Sequence, residues 1–287
     1  MKTILLQLDT DSLPSSFDRV VAIDAGVDEL FSYGGVTPEN VEPLIHGAIF
    51  TRGPKDLKST AVFVGGSDVE AGEALFERIR KIFFGPMRVS VMMDSNGSNT
   101  TAAAAVLAAR KHLPLAGVSA LVLGGTGPVG QRVAQLLAAE QAEVRVASRS
   151  LERAGKTCAA IRAAVPEARL TPCTTGSDEA RKAATRDIQL VIAAGAAGVE
   201  LLSEADRRAI PSLNVAIDLN AVPPVGLAGV EVTDKAQERD GVLCYGAIGV
   251  GGTKMKIHKA AIQQLFTAND QLLDTSAIYR IGETLGQ

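Results

Sequence analysis

The sequence predicts an α/β protein of two domains: a Rossmann-type dinucleotide-binding domain, and an α/β substrate domain completed by the C-terminal helix. Short apolar strands alternate with helical stretches along nearly the whole chain, which is typical of parallel α/β layers. A strand, a glycine turn, a helix and a second strand follow one another over residues 119–147, as a dinucleotide-binding unit requires. A last helix, about 275–285, follows the end of that unit, and we expect it to pack back on the first domain.

The elements of the first part are predicted from apolar runs and their flanking residues. Strands are expected at 3–8, 60–64 and 88–93, and helices at 69–83 and 100–111. Residues 111–117 break the pattern with a proline and a glycine, and they form the candidate hinge. The predicted substrate domain therefore comprises 1–112 plus about 268–287, and the dinucleotide-binding domain comprises 113–267. Within the latter, strands are expected at 120–123, 143–147, 190–194 and 215–219, with 169–173 a further one.

The glycine turn is the strongest local signal. Gly125, Gly127 and Gly130 have the G-x-G-x-x-G order that lets a backbone approach a pyrophosphate at a helix N-terminus. The motif alone is weak, and a glycine turn in an unrelated strand-to-helix unit is the alternative. The correct neighbours on both sides favour dinucleotide binding. The predicted cofactor-binding residues here are Gly125, Thr126, Gly127, Pro128, Val129 and Gly130.

The end of the second strand indicates which nicotinamide cofactor is used. Enzymes that prefer NAD usually have an acid there, which accepts hydrogen bonds from the ribose 2′-hydroxyl. This chain has Ser148, Arg149 and Ser150, a cation flanked by two hydroxyls, which suits a 2′-phosphate. We therefore expect NADP, with NAD as a weaker possibility, although a solvated arginine at a strand end is the alternative. Ala194, Gly195 and Asn220, at the ends of later predicted strands, are further cofactor-binding candidates.

Composition excludes several classes of protein. The formal net charge of −3 argues against nucleic acid as a major partner. No apolar run reaches the length of a membrane span and the start is too short for a signal peptide, so a cytoplasmic enzyme is expected. The three cysteines are odd in number and far apart, and the three histidines form no cluster in the sequence. No metal site is predicted.

Three polar segments of the first domain could bind a substrate. Residues 93–101 hold a run of small polar residues that could present donors to a heterocycle, and Asn96, Ser98, Asn99 and Thr100 are the candidates. A richly capped helix is the alternative. Residues 31–40 are interpreted mostly as a turn followed by a helix start at 37–38. In residues 9–18, Phe17 and Asp18 could contact a substrate, and a helix cap at Ser15 or Ser16 is an equal alternative.

A fourth segment, residues 245–258, is rich in glycine. Gly249 and Gly251 are predicted to let the backbone pass close to a nicotinamide. Lys254 is then expected in the first turn of the next helix, on the same face as His258 because the two are four residues apart. A lysine in a first turn is disfavoured by the helix dipole, which favours a functional role for Lys254, although a surface lysine without a function is the commoner case.

Three stretches together, residues 94–104, 125–130 and 249–254, resemble the NAD(P)-dependent methylene-tetrahydromethanopterin dehydrogenases of bacterial one-carbon metabolism. The similarity also covers 51–53, 63–66 and 83–86, in the same order along the chain. The string Asp-Ser-Asn-Gly-Ser-Asn-Thr-Thr from residue 94 is much more specific than the glycine motif. Some members of this family also act on methylene-tetrahydrofolate.

The resemblance implies a direct hydride transfer from the methylene carbon of a reduced pterin to the nicotinamide. No general base is needed, and no tyrosine of this chain has a lysine four places on. The resemblance implies an active-site position for Lys254, a reduced pterin as substrate, either of the tetrahydromethanopterin or the tetrahydrofolate type, and a homo-oligomer. Two alternatives remain: a shikimate or quinate dehydrogenase, and a non-enzymatic NADPH-binding sensor.

Overall fold

The computed structural model describes residues 1–286. The strands are regular and mostly short. In chain order they are β1 (Ile4–Asp9), β2 (Glu29–Tyr33), β3 (Thr60–Gly65), β4 (Ser90–Met93), β5 (Ser119–Leu123), β6 (Glu143–Ala147), β7 (Arg169–Cys173), β8 (Leu190–Ala193), β9 (Val215–Asp218), β10 (Lys235–Arg239), β11 (Val242–Tyr245) and β12 (Leu272–Leu273).

The helices alternate with these strands along most of the chain. In order they are α1 (Ser16–Asp24), α2 (Glu42–Phe50), α3 (Val69–Ile82), α4 (Ser98–Arg110), α5 (Pro128–Ala139), α6 (Leu151–Ala164), α7 (Asp178–Thr185), α8 (Glu204–Arg208), α9 (Ala247–Gln264) and α10 (Thr275–Thr284). Across residues 1–286, no helix is both long and apolar enough to cross a membrane.

Contacts between Cα atoms divide the chain into two compact units. One comprises Met1–Thr100 with the chain from Met255 onward, and the other is Thr101–Lys254. The chain passes between the units inside α4 and inside α9. The domain limits expected from the sequence, 112/113 and about 267/268, stay predictions, and Gln287 lies outside the described residues.

The first unit contains a parallel sheet in the order β12-β4-β3-β1-β2. The strands predicted at 3–8, 60–64 and 88–93 are confirmed as β1, β3 and β4, with shifts of one or two residues at their ends. One face of this sheet packs against α2 and α3 in a core that includes Leu8, Ile45, Val62 and Leu75. Near the end of the described chain, β12 adds to β4, and the predicted last helix is confirmed as α10.

The second unit contains a larger sheet in the order β10-β11-β9-β8-β5-β6-β7. All neighbouring pairs are parallel except β10 and β11. The strands predicted at 120–123, 143–147, 190–194, 215–219 and 169–173 are confirmed as β5, β6, β8, β9 and β7. Because β5 lies between β6 and β8, the strand order reverses at β5, which is where open α/β sheets bind their ligands.

Two local predictions for the first unit are wrong. Residues 31–33 belong to strand β2, and the helix predicted to start at 37–38 begins at Glu42 instead. The Asn40 side chain accepts a hydrogen bond from the Thr37 N–H at 2.8 Å, so this segment forms a turn closed by its own side chain. Asparagine favours such turns over a helix interior, and the helix therefore starts only after the turn.

Candidate functional site

The glycine turn between β5 and α5 has the geometry of a dinucleotide-binding loop. Gly127 is the N-cap of α5 and its N–H donates to the Gly124 carbonyl at 3.0 Å. A Cβ on Gly130 would overlap the Gly124 carbonyl oxygen and lie 2.9 Å from the Gly125 Cα, so the helix and the turn touch only because this residue is glycine. The first turn of α5 presents N–H groups that have no intrahelical acceptor, which is the arrangement that binds phosphate.

Two predicted cofactor residues lie beside this turn, after β8. The Ala194 N–H donates to the Leu123 carbonyl at 2.9 Å, which ties the end of β8 to the end of β5. A Cβ on Gly124 would come within 2.6 Å of the Gly195 Cα, so the two loops approach each other backbone to backbone. The structure therefore brings Ala194 and Gly195 next to the glycine turn, as their assignment to one cofactor site requires.

The segment after β6 is also held against the glycine turn. The Ser148 and Thr126 hydroxyls are 3.2 Å apart, and the Gly125 N–H donates to the Ala147 carbonyl at 2.9 Å. Ser150 caps α6, since its hydroxyl accepts from the Arg153 N–H. Its assignment to cofactor binding therefore has a structural alternative. Arg149, between the two serines, has an exposed side chain at the carboxyl end of the sheet.

Asn220 belongs to a loop organised around a buried carboxylate. The Asp218 side chain accepts hydrogen bonds from the Asn220 N–H at 2.9 Å and the Leu227 N–H at 2.7 Å. Burial raises the pKa of the Asp218 carboxyl above its ordinary value of 3.8. The Asn220 side chain in turn accepts from the Val222 N–H at 3.0 Å. Asn220 thus shapes the loop after β9, and any role in cofactor binding stays a prediction.

The expectation that Lys254 lies in a first helical turn is wrong. Helix α9 already begins at Ala247, so Gly249 and Gly251 are helical and Lys254 is in its third turn. A Cβ on Gly249 would overlap the Asp234 carbonyl oxygen, so this glycine serves contact between two parts of the protein backbone. Around Gly251, by contrast, a Cβ would meet nothing within 4 Å. The argument from the helix dipole no longer supports Lys254, and its catalytic role stays a prediction.

The polar run before α4 is largely a buried cap. The Asp94 carboxylate accepts from the Asn99 N–H at 2.8 Å and from the Thr100 N–H at 3.0 Å. The Ser98 hydroxyl donates to the Ser95 carbonyl, and the Asn99 side-chain amide donates to the Met93 carbonyl. Ser98, Asn99 and Thr100 are at most 1% exposed.

Asn96 differs from its neighbours in this run. Its side chain is exposed, and its backbone has a φ of 53°. Of the four substrate-binding candidates in the segment, Asn96 is the exposed one, and the other three hold the loop that carries it. Their assignment to direct substrate contact stays a prediction with a clear structural alternative.

Phe17 and Asp18 lie at the start of α1, where Ser15 is the N-cap and its hydroxyl accepts from the Asp18 N–H at 3.2 Å. The Phe17 ring is half exposed and its centroid is 6.4 Å from that of His258. His258 is fully buried and stacks on Phe63, with the centroids 5.6 Å apart and the planes at 19°.

Side chains from three elements converge at the carboxyl end of β3. A Cβ on Gly65 would lie 3.2 Å from Asp9 Oδ2, 3.2 Å from Phe63 Cε1 and 3.7 Å from Asp18 Oδ2. Neither Phe63 nor His258 was predicted as a site residue, because Phe63 lies in an apolar strand and His258 was considered only for the helix face that it shares with Lys254. The periodic spacing of β3 could have placed Phe63, whereas nothing in the sequence pairs it with His258.

The parallel sheet, its reversal at β5 and the glycine turn define a Rossmann-type dinucleotide-binding fold. Solved structures of the same fold include quinate dehydrogenase from Corynebacterium glutamicum in complex with NAD, with 15% identity and a TM-score of 0.53, covering 99% of this chain and 100% of that one. Another is 5-ketofructose reductase of Gluconobacter sp. strain CHM43, with 13% identity and a TM-score of 0.50, covering 99% of both chains. At these identities the likeness concerns the fold alone.

The chain belongs to the methylene-tetrahydromethanopterin dehydrogenase family. Residues 16–96 match the family described as "Methylene-tetrahydromethanopterin dehydrogenase, N-terminal". The chain is 44% identical over 286 residues to the "Bifunctional protein MdtA" of Methylorubrum extorquens, covering 99% of both chains. It is 32% identical over 301 residues to the "NAD(P)-dependent methylenetetrahydromethanopterin dehydrogenase" of the same organism, covering 98% of this chain and 97% of that one. These relatives do not favour the shikimate-type or sensor alternatives.

Proposed function

We propose that the protein is an NADP-dependent methylene-tetrahydromethanopterin dehydrogenase. The observation that carries this proposal is the 32% identity, over nearly the full length of both chains, to a relative named for that reaction with NAD(P). The reaction moves a hydride from the methylene carbon of the substrate to NADP, giving the methenyl pterin cation and NADPH. Acceptance of methylene-tetrahydrofolate is part of the proposal, because the reacting ring is the same in the two pterins.

The geometry of the second unit supports NADP as the cofactor. NADP, when bound, supplies the hydride acceptor. The turn containing Gly125 and Gly127 and the first turn of α5 would hold its diphosphate, because the first N–H groups of the helix have no intrahelical acceptor and Gly130 lets the helix start pack directly on the turn. Arg149 would pair with the 2′-phosphate. The Ser148 hydroxyl, which is 3.2 Å from the Thr126 hydroxyl, would line the same part of the site. The open space beside the glycine at position 251 is compatible with a cofactor contact there.

The first unit would supply the pterin contacts. Phe17 offers an exposed ring for packing on a flat heterocycle, and Asp18 and Asn96 offer polar groups to its edge. Ser98, Asn99 and Thr100 would act by fixing the loop that presents Asn96. The chemistry needs alignment of the two rings more than proton transfer, since the hydride leaves behind a cation delocalised over two nitrogens. Positioning of this kind can lower a reaction barrier by about 7–11 kcal/mol.

Lys254 is the proposed catalytic residue. A full positive charge would oppose the developing methenyl cation, so the lysine would act by orienting polar atoms of the pterin. Cytoplasmic localisation and a homo-oligomeric state belong to the same proposal, and they follow from the family membership and the sequence expectations above.

The deciding experiment mixes purified protein with methylene-tetrahydromethanopterin and NADP and follows the methenyl pterin and NADPH absorbance bands together. Formation of methenyl pterin and NADPH in equal molar amounts supports the proposal. Parallel assays with NAD and with methylene-tetrahydrofolate give the preferences for cofactor and pterin. A protein that binds NADPH tightly but produces neither chromophore with any pair would overturn the proposal, and quinate and shikimate would then be the next substrates to assay.

A further inference from the structure

The loop after β9 begins and ends on one buried carboxylate. Asp218, the last residue of β9, is 1% exposed. Its two oxygens accept hydrogen bonds from the N–H groups near both ends of the loop, that of Asn220 at 2.9 Å and that of Leu227 at 2.7 Å. The Gly226 N–H also donates to this carboxylate. Because hydrogen bonds to a charged acceptor are roughly twice as strong as neutral ones, the carboxylate fixes the path of residues 219–227.

The same loop holds the neighbouring loop, which follows β8. The Gly226 carbonyl accepts from the N–H groups of Leu201 at 2.8 Å and of Leu202 at 3.1 Å. A Cβ on Gly226 would lie 2.9 Å from Asp218 Oδ1 and 3.1 Å from the Ala193 Cβ, so the backbone approaches this closely only because the residue is glycine. The loops after β8 and β9 are consequently joined to each other and to Asp218.

These contacts continue to the glycine turn between β5 and α5. A Cβ on Gly195 would lie 2.6 Å from Leu201 Cδ1, so the Leu201 side chain packs directly on the Gly195 backbone. Gly195 in turn approaches Gly124 backbone to backbone, as described above. A continuous path of contacts therefore runs from Asp218 through Gly226 and Leu201 to the turn proposed to bind the diphosphate.

The order of the strands indicates which half of the cofactor these two loops would contact. A dinucleotide binds across the point where the strand order reverses, with one half on each side of it. Here β6, which Arg149 follows, lies on one side of β5, and β8 and β9 lie on the other. Since Arg149 is proposed to bind the 2′-phosphate of the adenosine half, the loops after β8 and β9 are on the side of the nicotinamide half.

We propose that Asp218 is a positioning residue, which sets the place of the nicotinamide through the loops after β8 and β9. It acts through Gly226 and Leu201 and takes no part in the hydride transfer itself. An asparagine at position 218 would have nearly the same shape but only one acceptor oxygen, so its amide group would face a backbone N–H and the loops would shift. The inference rests on the proposed function, because it takes NADP as the cofactor.

The first test compares the binding of NADPH with that of adenosine 2′,5′-bisphosphate, which has the adenosine half and no nicotinamide. By calorimetry, Asp218→Asn should raise the Kd for NADPH about 10-fold and leave the Kd for the bisphosphate within about two-fold of the wild-type value. Asp234→Asn is the matched control, because it also neutralises a buried carboxylate of the second unit, and it should leave both Kd values unchanged.

The comparison of the two nucleotides separates positioning from a general loss of structure. Equal losses of affinity for both nucleotides, or an unchanged Kd for NADPH, would overturn the positioning role while leaving the proposed function intact. A wild-type protein that binds neither nucleotide would overturn both.

The second test retains the carboxylate and disturbs the next step of the path. In Gly226→Ala the added methyl group would press on Asp218 and Ala193, so the loop after β9 should move. We expect the same selective loss of affinity for NADPH. Gly155→Ala in α6 is the control, since a Cβ there would meet nothing within 4 Å. Wild-type affinity for NADPH in Gly226→Ala would contradict the proposed path.

The third test uses the reaction. With methylene-tetrahydromethanopterin and saturating NADP, Asp218→Asn should lower kcat by about 10- to 100-fold, because a misplacement of about 1 Å can cost that much in rate. An unchanged kcat would argue against positioning of the nicotinamide. If the wild type oxidises no pterin but Asp218→Asn weakens NADPH alone, the positioning role is supported and the proposed substrate is wrong.

Discussion

Asp94 and Thr100 form a buried two-point contact at the start of α4. The carboxylate accepts from the Thr100 N–H at 3.0 Å and from its hydroxyl at 2.6 Å. Both residues are fully buried. The polar string that distinguishes this family in the sequence is therefore, for the most part, the internal scaffold of a helix start, and the exposed Asn96 is what that scaffold presents.

Asp94→Ala should destabilise the protein by about 2–4 kcal/mol, because buried donors of Asn99 and Thr100 lose a charged acceptor. Urea unfolding followed by circular dichroism measures the change. Asn96→Gly is the control, since glycine tolerates the φ of 53° and the side chain is exposed. If the free energy of unfolding of Asp94→Ala were within about 0.5 kcal/mol of the wild-type value, which is the usual range of a surface change, the cap would be dispensable.

Arg149→Ala should raise the KM for NADP by about 10- to 100-fold and leave the KM for NAD nearly unchanged, because only NADP carries the 2′-phosphate. Steady-state kinetics with both cofactors gives the comparison. Arg169→Ala is the matched control, since Arg169 is an exposed arginine at the amino end of β7. Equal losses with NADP and NAD would rule out the phosphate contact.

Lys254→Ala should lower kcat by about 100-fold while the Kd for NADP changes little, because the side chain is proposed to act on the pterin in the transition state. Single-turnover rates and NADPH fluorescence titration separate the two quantities. Lys256→Ala removes an exposed lysine from the same helix and serves as the control. An unchanged kcat would remove Lys254 from the active site.

Asp234 should contribute to stability in a pH-dependent manner. Burial alone would raise the pKa of its carboxyl, but hydrogen bonds from Arg239, at 2.6 and 2.7 Å, and from the Glu231 N–H outweigh burial and lower the pKa. The stabilising effect is therefore present above the ordinary pKa of 3.8 and is lost as the pH falls below it.

Asp234→Asn should accordingly cost about 1–3 kcal/mol at neutral pH, and the difference from wild type should shrink on acidification. Urea titrations at a series of pH values would check this. A difference that stays constant down to the acid limit would mean that the charge of Asp234 contributes nothing.

The cysteines should be unreactive in the native state. Burial raises the pKa of Cys173 and of Cys244 to about 11, so both are thiols at neutral pH, and Cys158 is buried with a raised pKa as well. The thiolate is the reactive form, so alkylation by iodoacetamide should be slow in buffer and complete in urea. Mass spectrometry of the modified peptides would reveal any cysteine that reacts before unfolding.

Much of the fold was predictable because its signals are local. β5, the glycine turn, α5 and β6 each have their own apolar period or glycine spacing, and these elements occur where they were expected. β2 was missed because a five-residue edge strand with two exposed aromatic residues has no clear alternation of burial. The start of α9 was missed because glycines at 249, 251 and 252 argue against a helix. Of these three, only Gly249 is required by a tertiary contact, that with the Asp234 carbonyl.

The candidate site was predictable only in part. Glycine spacing identified the turn, and the missing acid after β6 indicated NADP. The convergence of Asp9, Phe63 and His258 with Phe17 depends on contacts between residues far apart in sequence, and no local pattern carries that information. The buried role of Asp94 was hidden for a related reason: a polar run has the same composition whether it binds a ligand or caps a helix.

The two passages of the chain between the compact units, inside α4 and inside α9, have a practical consequence for dissecting this protein. A fragment cut at either passage would end inside a helix, which removes backbone hydrogen-bond partners from the helical residues on both sides of the cut. Cutting after Arg110, where α4 ends, would instead leave ten helical residues of the second unit attached to the first-unit fragment. Cofactor-binding studies on an isolated half are therefore poorly suited to this enzyme, and variants of the whole chain are the better instrument.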